Sequence, residues 1–358
     1  MAGNLRAIVI GCGNMGASHA RAYAALDGFE LVGLVARSPT RRGKLAAELA
    51  PAAEFDTLEA ALAATRPDVA AVCTYPDSHA AYCRQCLEAG LHVFVEKPLA
   101  MTVEEAGEVV QIARRRGRKL VVGYILRHHP AWIRFVEIAR TLGKPLVMRM
   151  NLNQQSVGAT WDLHKNLMES MSPIVDCGVH YVDMMCQMTR SRPVRVQAIA
   201  ARLTDEIAPT MTNYGQLQVV FADGSVGWYE AGWGPMISEE AYFVKDVFGP
   251  KGSVSIVKGR DGEQAHQSAN LESHTQTNWL RVHHADQDAA RQFTREDEWI
   301  DTTDEPDHQE LCNREQAYLL RAIRDDLDLT DHWADAVNSL RIVLAADEAA
   351  RTGRTIEL

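Results

Sequence analysis

The chain has 358 residues, of which 46% are hydrophobic and 23% charged, a globular composition with enough length for two domains. Its 47 acidic and 37 basic side chains give a formal net charge of −10, which argues against nucleic acid or an anionic membrane as the main partner. No apolar stretch is long enough to span a bilayer and no leader-like segment precedes the first predicted strand, so we expect a cytoplasmic protein with no membrane partner.

The seven cysteines are scattered and odd in number, which is not the pattern of a disulfide framework. Cys83 and Cys86 form one C-x-x-C pair, but a zinc site of that type needs a second pair. We therefore predict no metal site and interpret the cysteines as small buried hydrophobic residues.

The first predicted strand runs into a glycine motif. Ala7 to Gly11 is mostly apolar, and a helical pattern follows from Met15 to Leu26. The glycines between them are spaced G-x-G-x-x-G, which permits a tight turn, close approach of the backbone to a pyrophosphate, and close packing of helix on strand. The alternative is a glycine-rich turn that closes an ordinary βα unit. We predict a dinucleotide-binding turn formed by Gly11, Cys12, Gly13, Asn14, Met15 and Gly16.

Strand-like and helix-like segments then alternate up to about residue 124. Further strands are predicted at Leu31–Val35, Val69–Cys73, Leu91–Val95 and Lys119–Tyr124. Helices are predicted at Thr40–Leu49, at Thr57–Ala64 with Asp56 as its cap, up to Ala89 after a cap at Asp77 or Ser78, and up to Arg116 after the capping box of Thr102 and Glu105. This alternation predicts an α/β fold over residues 1–125, a Rossmann domain with a doubly wound parallel sheet.

The rhythm changes after Tyr124. Helices are predicted at Pro130–Leu142, Pro173–Met188, His308–Arg324 and Trp333–Thr352, and a polar stretch with Trp161, His164 and Lys165 follows a strand at Leu146–Asn153. Strands at hairpin spacing are predicted at Val194–Leu203, Gly215–Phe221, Ser225–Ala231, Ala241–Phe248 and Ser253–Val257, with a turn at Ala222–Ser225. Residues 259–305 are predicted as a long polar loop. Residues 126–358 thus form an α+β domain with a largely antiparallel open sheet, whose last helices can pack back on the first domain.

Lys97 is the first candidate catalytic residue. It follows a parallel strand directly, at the carboxyl edge where open α/β sheets bind ligands, and Pro98 keeps it out of helical geometry. A lysine that is partly desolvated beside a nicotinamide can serve as a general acid or base. The alternative is a solvated loop lysine paired with Glu96.

Asp176 and His180 are the second candidate. They are four residues apart in a predicted helix and so share one face, with Asp183 about one turn further on. A histidine beside a carboxylate can hold a substrate hydroxyl and move its proton. The alternative is a structural pair. No metal-binding signature accompanies them.

Together these motifs resemble the glucose–fructose oxidoreductase / inositol dehydrogenase (Gfo/Idh/MocA) family over most of the chain. The segments that carry the resemblance are Gly11–Gly16 with His19, Cys73–His79, Glu96–Leu99, Gly123-Tyr124 with Arg127, Asp176–Asp183 and Gly249–Ser253. The resemblance implies that Lys97, Asp176 and His180 face the substrate. It also implies cofactor contacts from Thr74, Tyr75, Pro76, His79, Glu96 and Lys97. The open sheet of the second domain is expected to form the interface of a homo-oligomer, a dimer or tetramer.

The chain departs from the resemblance at the end of the second predicted strand. Members that prefer NAD usually carry an acidic residue there, whereas this chain has Ala36, followed by Arg37, Ser38 and, nearby, Arg41 and Arg42. A carboxylate repels a 2′-phosphate, whereas an arginine and a hydroxyl accept it. We therefore favour NADP(H), with NAD(H) as the other possibility. The alternative is that the arginines are solvent-exposed in the following helix and NAD still binds.

The substrate is the least constrained inference. Trp161, His164 and Lys165 fall where the family builds one wall of a sugar pocket, and Arg127 and Trp233 can add to it. An aromatic ring with several polar groups suits a polyhydroxylated ring. The alternative is that these residues are structural.

The sequence thus predicts an NAD(P)-dependent dehydrogenase or reductase that acts on a secondary alcohol or ketone of a sugar, cyclitol or sugar derivative. Two other interpretations stay open: a reductase of a dihydrodiol, imine or tetrapyrrole, and a dinucleotide-sensing regulator without turnover. A regulator needs neither Lys97 nor the pair of Asp176 and His180, and their presence counts against it.

Overall fold

The computed structural model describes residues 3–49, 52–238, 244–257 and 275–358. The chain divides into two compact units, Met1–Ile125 with Asp307–Val337, and Leu126–Pro306 with Asn338–Leu358. The helices, in chain order, are α1 (Asn14–Ala25), α2 (Pro39–Glu48), α3 (Leu58–Thr65), α4 (His79–Glu88), α5 (Val103–Arg116), α6 (Pro130–Thr141), α7 (Gly158–Leu167), α8 (Pro173–Asp176), α9 (Gly178–Thr189), α10 (His308–Arg324) and α11 (Thr330–Thr352).

The first unit contains a six-stranded parallel sheet. Its strands are β1 (Leu5–Ile10), β2 (Phe29–Val35), β3 (Ala53–Phe55), β4 (Val69–Val72), β5 (His92–Glu96) and β6 (Leu120–Gly123). Their order is β3-β2-β1-β4-β5-β6, which confirms the predicted Rossmann topology. The central strand β4 is apolar throughout because helices cover both faces of the sheet, and every residue of β4 is fully buried.

The helix caps of this unit follow the sequence with two corrections. Thr102 accepts a hydrogen bond from the Glu105 N–H, as the capping box predicts. The cap of α3 is Thr57, whose hydroxyl accepts from the Ala60 N–H, and not Asp56. A 3-10 turn, Pro76–Ser78, leads into α4, which has no side-chain cap from Ser78 or Asp77.

The second unit is built on a nine-stranded sheet. Its strands are β7 (Val147–Gln155), β8 (Pro193–Ala201), β9 (Tyr214–Phe221), β10 (Val226–Gly234), β11 (Lys245–Gly249), β12 (Gly252–Val257), β13 (Trp279–His284), β14 (Glu298–Asp301) and β15 (Ile356–Glu357). The order is β14-β13-β12-β11-β7-β10-β9-β8-β15, and the pair β7–β10 is parallel whereas the others are antiparallel. Helices α8 and α9 pack on its middle strands and bury one face.

Four predicted segments of this unit differ in the structure. The polar stretch is a helix, α7, with only Trp161 and His164 buried. The predicted helix 173–188 is broken at Cys177 into α8 and α9. Strands β13 and β14 lie within the predicted loop, of which residues 259–274 fall outside the described residues. The predicted strand Ala241–Phe248 is seen as β11, and its first three residues also fall outside them. Of the described helices, none is both long and apolar enough to cross a membrane.

Candidate active site

The glycine turn lies between β1 and α1, and two of its three glycines, Gly11 and Gly16, leave no room for a side chain. Gly11 has a φ of +97°, and a Cβ built on it would lie 2.4 Å from the carbonyl oxygen of Cys73. A Cβ on Gly16 would lie 1.8 Å from the carbonyl oxygen of Gly11. At Gly13, by contrast, nothing described lies within 4 Å of the Cβ position, and α1 begins there without a side-chain cap from the described residues. The open space and the uncapped N–H groups fit a pyrophosphate.

The other residues of the turn differ in exposure. Asn14 is exposed and Met15 is half-buried. Cys12 is buried, and burial raises the pKa of its thiol to about 11 against the opposing charge of Arg42. The Cys12 thiol therefore stays protonated and unreactive at neutral pH.

The arginines that follow β2 are of two kinds, one buried and two exposed. Arg42 is buried; its Nη1 donates to the carbonyl oxygens of Ala36 and Phe55 and pairs with Asp56, and its Nε lies 3.1 Å from Glu54. These contacts tie α2 to the edge of the sheet, so Arg42 is a structural residue and neither a solvent-exposed nor a phosphate-facing arginine. Arg37, Ser38 and Arg41 are exposed, and the Ser38 hydroxyl accepts from the Arg41 N–H at 3.5 Å.

The turns after β4 and β5 are joined by a histidine. His79 is buried, with Nδ1 2.7 Å from the carbonyl oxygen of Pro98 and Nε2 3.0 Å from that of Thr74. Burial lowers the pKa of His79 despite these acceptors. In the turn after β4, Thr74 is followed by Tyr75, whose side chain is 60% exposed, and then by Pro76. Since β1, β4 and β5 are neighbours in the sheet, all three turns lie along one carboxyl edge.

Lys97 directly follows β5, and a buried side chain contacts its backbone. The Lys97–Pro98 peptide is cis, and Lys97 is half-buried. Glu96, which is 8% exposed, accepts a hydrogen bond from the Lys97 N–H through Oε2 at 3.3 Å. Its Oε1 lies 2.8 Å from Nε2 of His19, a fully buried residue of α1. The other ring nitrogen of His19 lies 2.9 Å from the side-chain nitrogen of Gln316 in α10.

In the second unit, Asp176 ends α8 and His180 lies in the first turn of α9. Both are half-buried, in a segment whose other residues are mostly buried. The break at Cys177 therefore places them on two helices, the four-residue α8 and the twelve-residue α9, and not on a single helix. Cys177 Sγ lies 3.5 Å from Asp176 Oδ2 and 3.6 Å from Gln154 Oε1.

His164 and Trp233 lie beside this break. Their rings are stacked, with centroids 4.3 Å apart and an interplanar angle of 11°. Trp233 donates its Nε1–H to Gln154 Oε1 at 2.7 Å, and His164 Nδ1 lies 2.9 Å from the Ser156 hydroxyl. Burial lowers the pKa of His164 to about 4, against the charge of Asp176. The structure thus joins His164, through Trp233 and Gln154, to the segment that carries Asp176.

The remaining predicted substrate residues form two separate groups. Trp161 donates to Glu206 at 3.1 Å, and Lys165 pairs with the same carboxylate at 3.0 Å. Arg127 forms a bidentate ion pair with Asp183, which is fully buried in α9. Within the second unit, therefore, the structure brings together His164, Trp233 and Asp176 but gives Trp161 and Arg127 partners of their own.

Three buried residues near Glu96 in the first unit could not be assigned a role from the sequence. His19 lies three residues after the glycine motif, and Glu315 and Gln316 lie in α10, near the other end of the chain. Glu315 is fully buried, and burial, then the charge of Glu96, raises its pKa well above the ordinary value. Their separation along the chain left no local pattern to reveal them.

Two family models match this chain. The model described as "Oxidoreductase family, NAD-binding Rossmann fold" matches residues 5–124, and the GFO/IDH/MocA C-terminal domain matches residues 138–255. Together they match part of each unit, up to residue 255.

The chain is similar to dehydrogenases and to a solved structure. It is 30% identical over 211 residues to UDP-N-acetylglucosamine 3-dehydrogenase of Acidithiobacillus ferrooxidans, an alignment that covers 57% of this chain and 60% of that one, which is less than two thirds of that relative. It is 26% identical over 355 residues to myo-inositol dehydrogenase Hyg17 of Streptomyces leeuwenhoekii, covering 96% and 97%. The crystal structure of GenD2 from gentamicin A biosynthesis, in complex with NAD, has the same fold, with a TM-score of 0.76, 22% identity and coverage of 100% and 97%.

Proposed function

The chain belongs to the GFO/IDH/MocA family of oxidoreductases, and from that premise we propose that it is an NAD(P)-dependent dehydrogenase of a sugar, cyclitol or sugar derivative. The observation that carries the proposal is the position of Lys97. It lies on the same sheet edge as the glycine turn, with the Thr74 turn between them. The names of two relatives, which specify a sugar nucleotide and a cyclitol, support this substrate class.

The proposed reaction removes a hydride from the carbon and a proton from the oxygen of a secondary alcohol and leaves a ketone. A bound nicotinamide supplies the hydride acceptor. His180 takes the hydroxyl proton, and Asp176 orients its ring or binds a neighbouring hydroxyl. Lys97 hydrogen-bonds the same oxygen and stabilises its developing charge, or is itself the base.

The substrate wall is assigned in the same proposal. Arg127, Trp161 and His164 stay predicted substrate-side residues. The ring of His164 stacks on Trp233, which bonds Gln154, and Gln154 contacts the segment that carries Asp176. We therefore assign to His164 the role of holding Asp176 in position against the substrate ring. A neutral imidazole suits this role, since its low pKa keeps charge away from an uncharged polyol.

We assign a preference for NADP(H) to Arg37 and Ser38. Both are exposed at the end of β2, where no carboxylate side chain follows the strand, whereas Arg42 is occupied by carbonyl and carboxylate partners. Arg37→Ala should lower the ratio of kcat/KM with NADP to that with NAD by about tenfold or more, the worth of a charge-assisted hydrogen bond. Arg41→Ala is the matched control one turn along. A ratio that favours NAD in the unmodified protein contradicts this assignment.

We also propose a homo-oligomer that assembles through the outer face of the nine-stranded sheet. On that face, Val147 of β7 pairs in register with Phe248 of β11 on one side and with Val226 of β10 on the other. The side chains of Phe248 and Val226 are 39% and 36% exposed. A row of exposed apolar side chains on a regular sheet suits a second copy of the same sheet. Phe248→Glu should convert the assembly to monomers in light scattering, and an unmodified protein that is monomeric contradicts the proposal.

The test of function is a panel of sugars, polyols and cyclitols, scored by the absorbance of reduced nicotinamide with each cofactor. Lys97→Met should abolish turnover of an accepted substrate, whereas Lys251→Met, which replaces an exposed lysine in a turn of the second unit, should not change it. Turnover by Lys97→Met contradicts the catalytic assignment. Cofactor binding without turnover on any compound favours the regulator, and turnover restricted to dihydrodiols, imines or tetrapyrroles favours the other reductase.

A further inference from the structure

A buried chain of polar side chains runs from α10 to the backbone of Lys97. It begins at Gln316, passes through the imidazole of His19 and ends at the Glu96 carboxylate, all of which are at most 8% exposed. The two links are 2.9 Å and 2.8 Å long. Three elements of the first unit, α1, β5 and α10, each contribute one member.

The chemistry of the links gives the chain a direction. In the structure the side-chain nitrogen of Gln316 faces His19 Nδ1, and since an amide nitrogen can only donate, we infer that Nδ1 accepts and carries no proton. A neutral imidazole then has its proton on Nε2, which points at Glu96 Oε1. The amide of Gln316 thus selects the tautomer in which His19 donates to the carboxylate.

The Glu96 carboxylate connects the ring of His19 to the backbone of Lys97. Glu96 Oε2 accepts from the Lys97 N–H, and on the other side of Lys97 the carbonyl oxygen of Pro98 lies 2.7 Å from His79 Nδ1. The peptide unit that precedes Lys97 is therefore held by the Glu96 side chain, and the peptide unit that follows Pro98 lies against the His79 ring. Fixing the backbone from which the Lys97 side chain extends narrows the positions that its ammonium group can take, which matters because a misplacement of about 1 Å can cost about a hundredfold in rate.

A metal site is the competing interpretation of the same cluster, since ligand atoms of His19, Cys312 and Glu315 lie within 4.8 Å of one another. Both ring nitrogens of His19 already have hydrogen-bond partners. Burial, then the charge of Glu96, raises the pKa of Glu315, and burial raises the pKa of the Cys312 thiol, so a cation bound here would have to displace both protons as well as one hydrogen-bond partner of His19.

We propose that Gln316 and His19 are positioning residues for Lys97, acting through the Glu96 carboxylate. Gln316 sets the tautomer of His19, His19 holds Glu96, and Glu96 holds the backbone from which the Lys97 side chain extends. This inference rests on the proposed catalytic role of Lys97.

Two substitutions of His19 distinguish the loss of its hydrogen-bond donor at Nε2 from the loss of its side-chain volume. The side-chain nitrogen of glutamine extends about as far as imidazole Nε2, whereas that of asparagine extends only about as far as Nδ1. His19→Gln therefore keeps a donor for Glu96, and His19→Asn does not. We expect His19→Asn to lower kcat about tenfold or more, with the KM for cofactor changed less than about threefold, and His19→Gln to restore most of the kcat.

Gln316 is tested in both backgrounds. Gln316→Met should lower kcat when His19 is present, because the tautomer is then no longer selected. The same substitution should have no effect on kcat in the His19→Gln protein, because an amide has no tautomers. Equal losses in the two backgrounds would show a packing effect and overturn the proposal.

Nitrogen NMR of the histidine rings gives a readout that does not depend on activity. It should show His19 with an unprotonated Nδ1 and a protonated Nε2, and a protonated Nδ1 overturns the proposal. If Lys97→Met is inactive while His19→Asn and His19→Gln have equal kcat, the positioning inference fails and the proposed function stands. If Lys97→Met turns over substrate, the catalytic assignment fails, and the NMR result still decides the order of the network.

Discussion

Glu315 gives a sharp test of the energetics in the first unit. In the folded protein its carboxyl group is fully buried, and burial together with the charge of Glu96 raises its pKa well above the ordinary value of 4.5. The folded protein therefore keeps a proton that the unfolded chain releases once the pH passes about 4.5. The stability that comes from a neutral Glu315 is complete below that pH and is lost as the pH rises toward the folded pKa.

The size of the effect follows from one proton. Over the interval between the two pKa values, the unfolding constant of the unmodified protein gains up to about tenfold for each unit of pH from this group alone. Glu315→Gln keeps the shape of the neutral acid and has no proton to release. The free energy of unfolding of the variant should therefore rise above that of the unmodified protein by an amount that grows with pH.

The assay is urea unfolding followed by circular dichroism at several values between about pH 5 and pH 9. Glu310→Gln, an exposed position on the same helix, controls for the substitution itself. Two stability curves that run parallel over this range, or a variant that loses stability relative to the unmodified protein as the pH rises, would refute the reasoning.

Three further outcomes are expected. Gly16→Ala should abolish cofactor binding measured by titration calorimetry, because the new Cβ sits 1.8 Å from a backbone oxygen and must move to at least 3.0 Å; Gly107→Ala, with open space at its Cβ, should leave binding intact. Glu305→Gln should lower the free energy of unfolding by about 1–3 kcal/mol, since that carboxylate accepts two backbone N–H groups and a histidine; an unchanged denaturation midpoint would contradict this. The ring of His164 should titrate near pH 4 by NMR, so that its contribution to stability is present above about pH 6.5 and lost as the pH falls toward 4; a midpoint near 6.5 would mean that the ring is solvated.

The sequence predicted most of the parallel sheet, since its central strands are short apolar runs separated by helices with recognisable caps and stops. The same holds for the hairpin at Asp223-Gly224, where Gly224 has a φ of +83° and the Ser225 N–H bonds the Asp223 side chain. Where a local rule fixes the geometry, as it does here, the sequence is sufficient.

The misses have physical causes. Strand β13 buries only Leu280 and Val282 and places Arg281 in solvent, so that its polar face looks like loop in a linear sequence. Helix α7 buries just two residues and has no apolar stripe to reveal it.

The site was predicted in parts. The glycine turn and Lys97 stand out because each follows a strand directly. The role of Arg42 depends on Glu54 and Asp56, which reach it from the segment around β3, and Gln316 lies 297 residues from His19. Periodicity and capping rules carry no information over such distances.

The first unit takes its helices from both ends of the chain, and this has a consequence for how the protein is made. During synthesis α1 and the whole parallel sheet leave the ribosome long before α10 exists, so the part of α1 that α10 contacts stays uncovered until α10 has been made. It also limits the making of hybrids between relatives. A crossover placed only near residue 125 would set the Gln316 of one parent against the His19 of the other, so these two segments should be exchanged together.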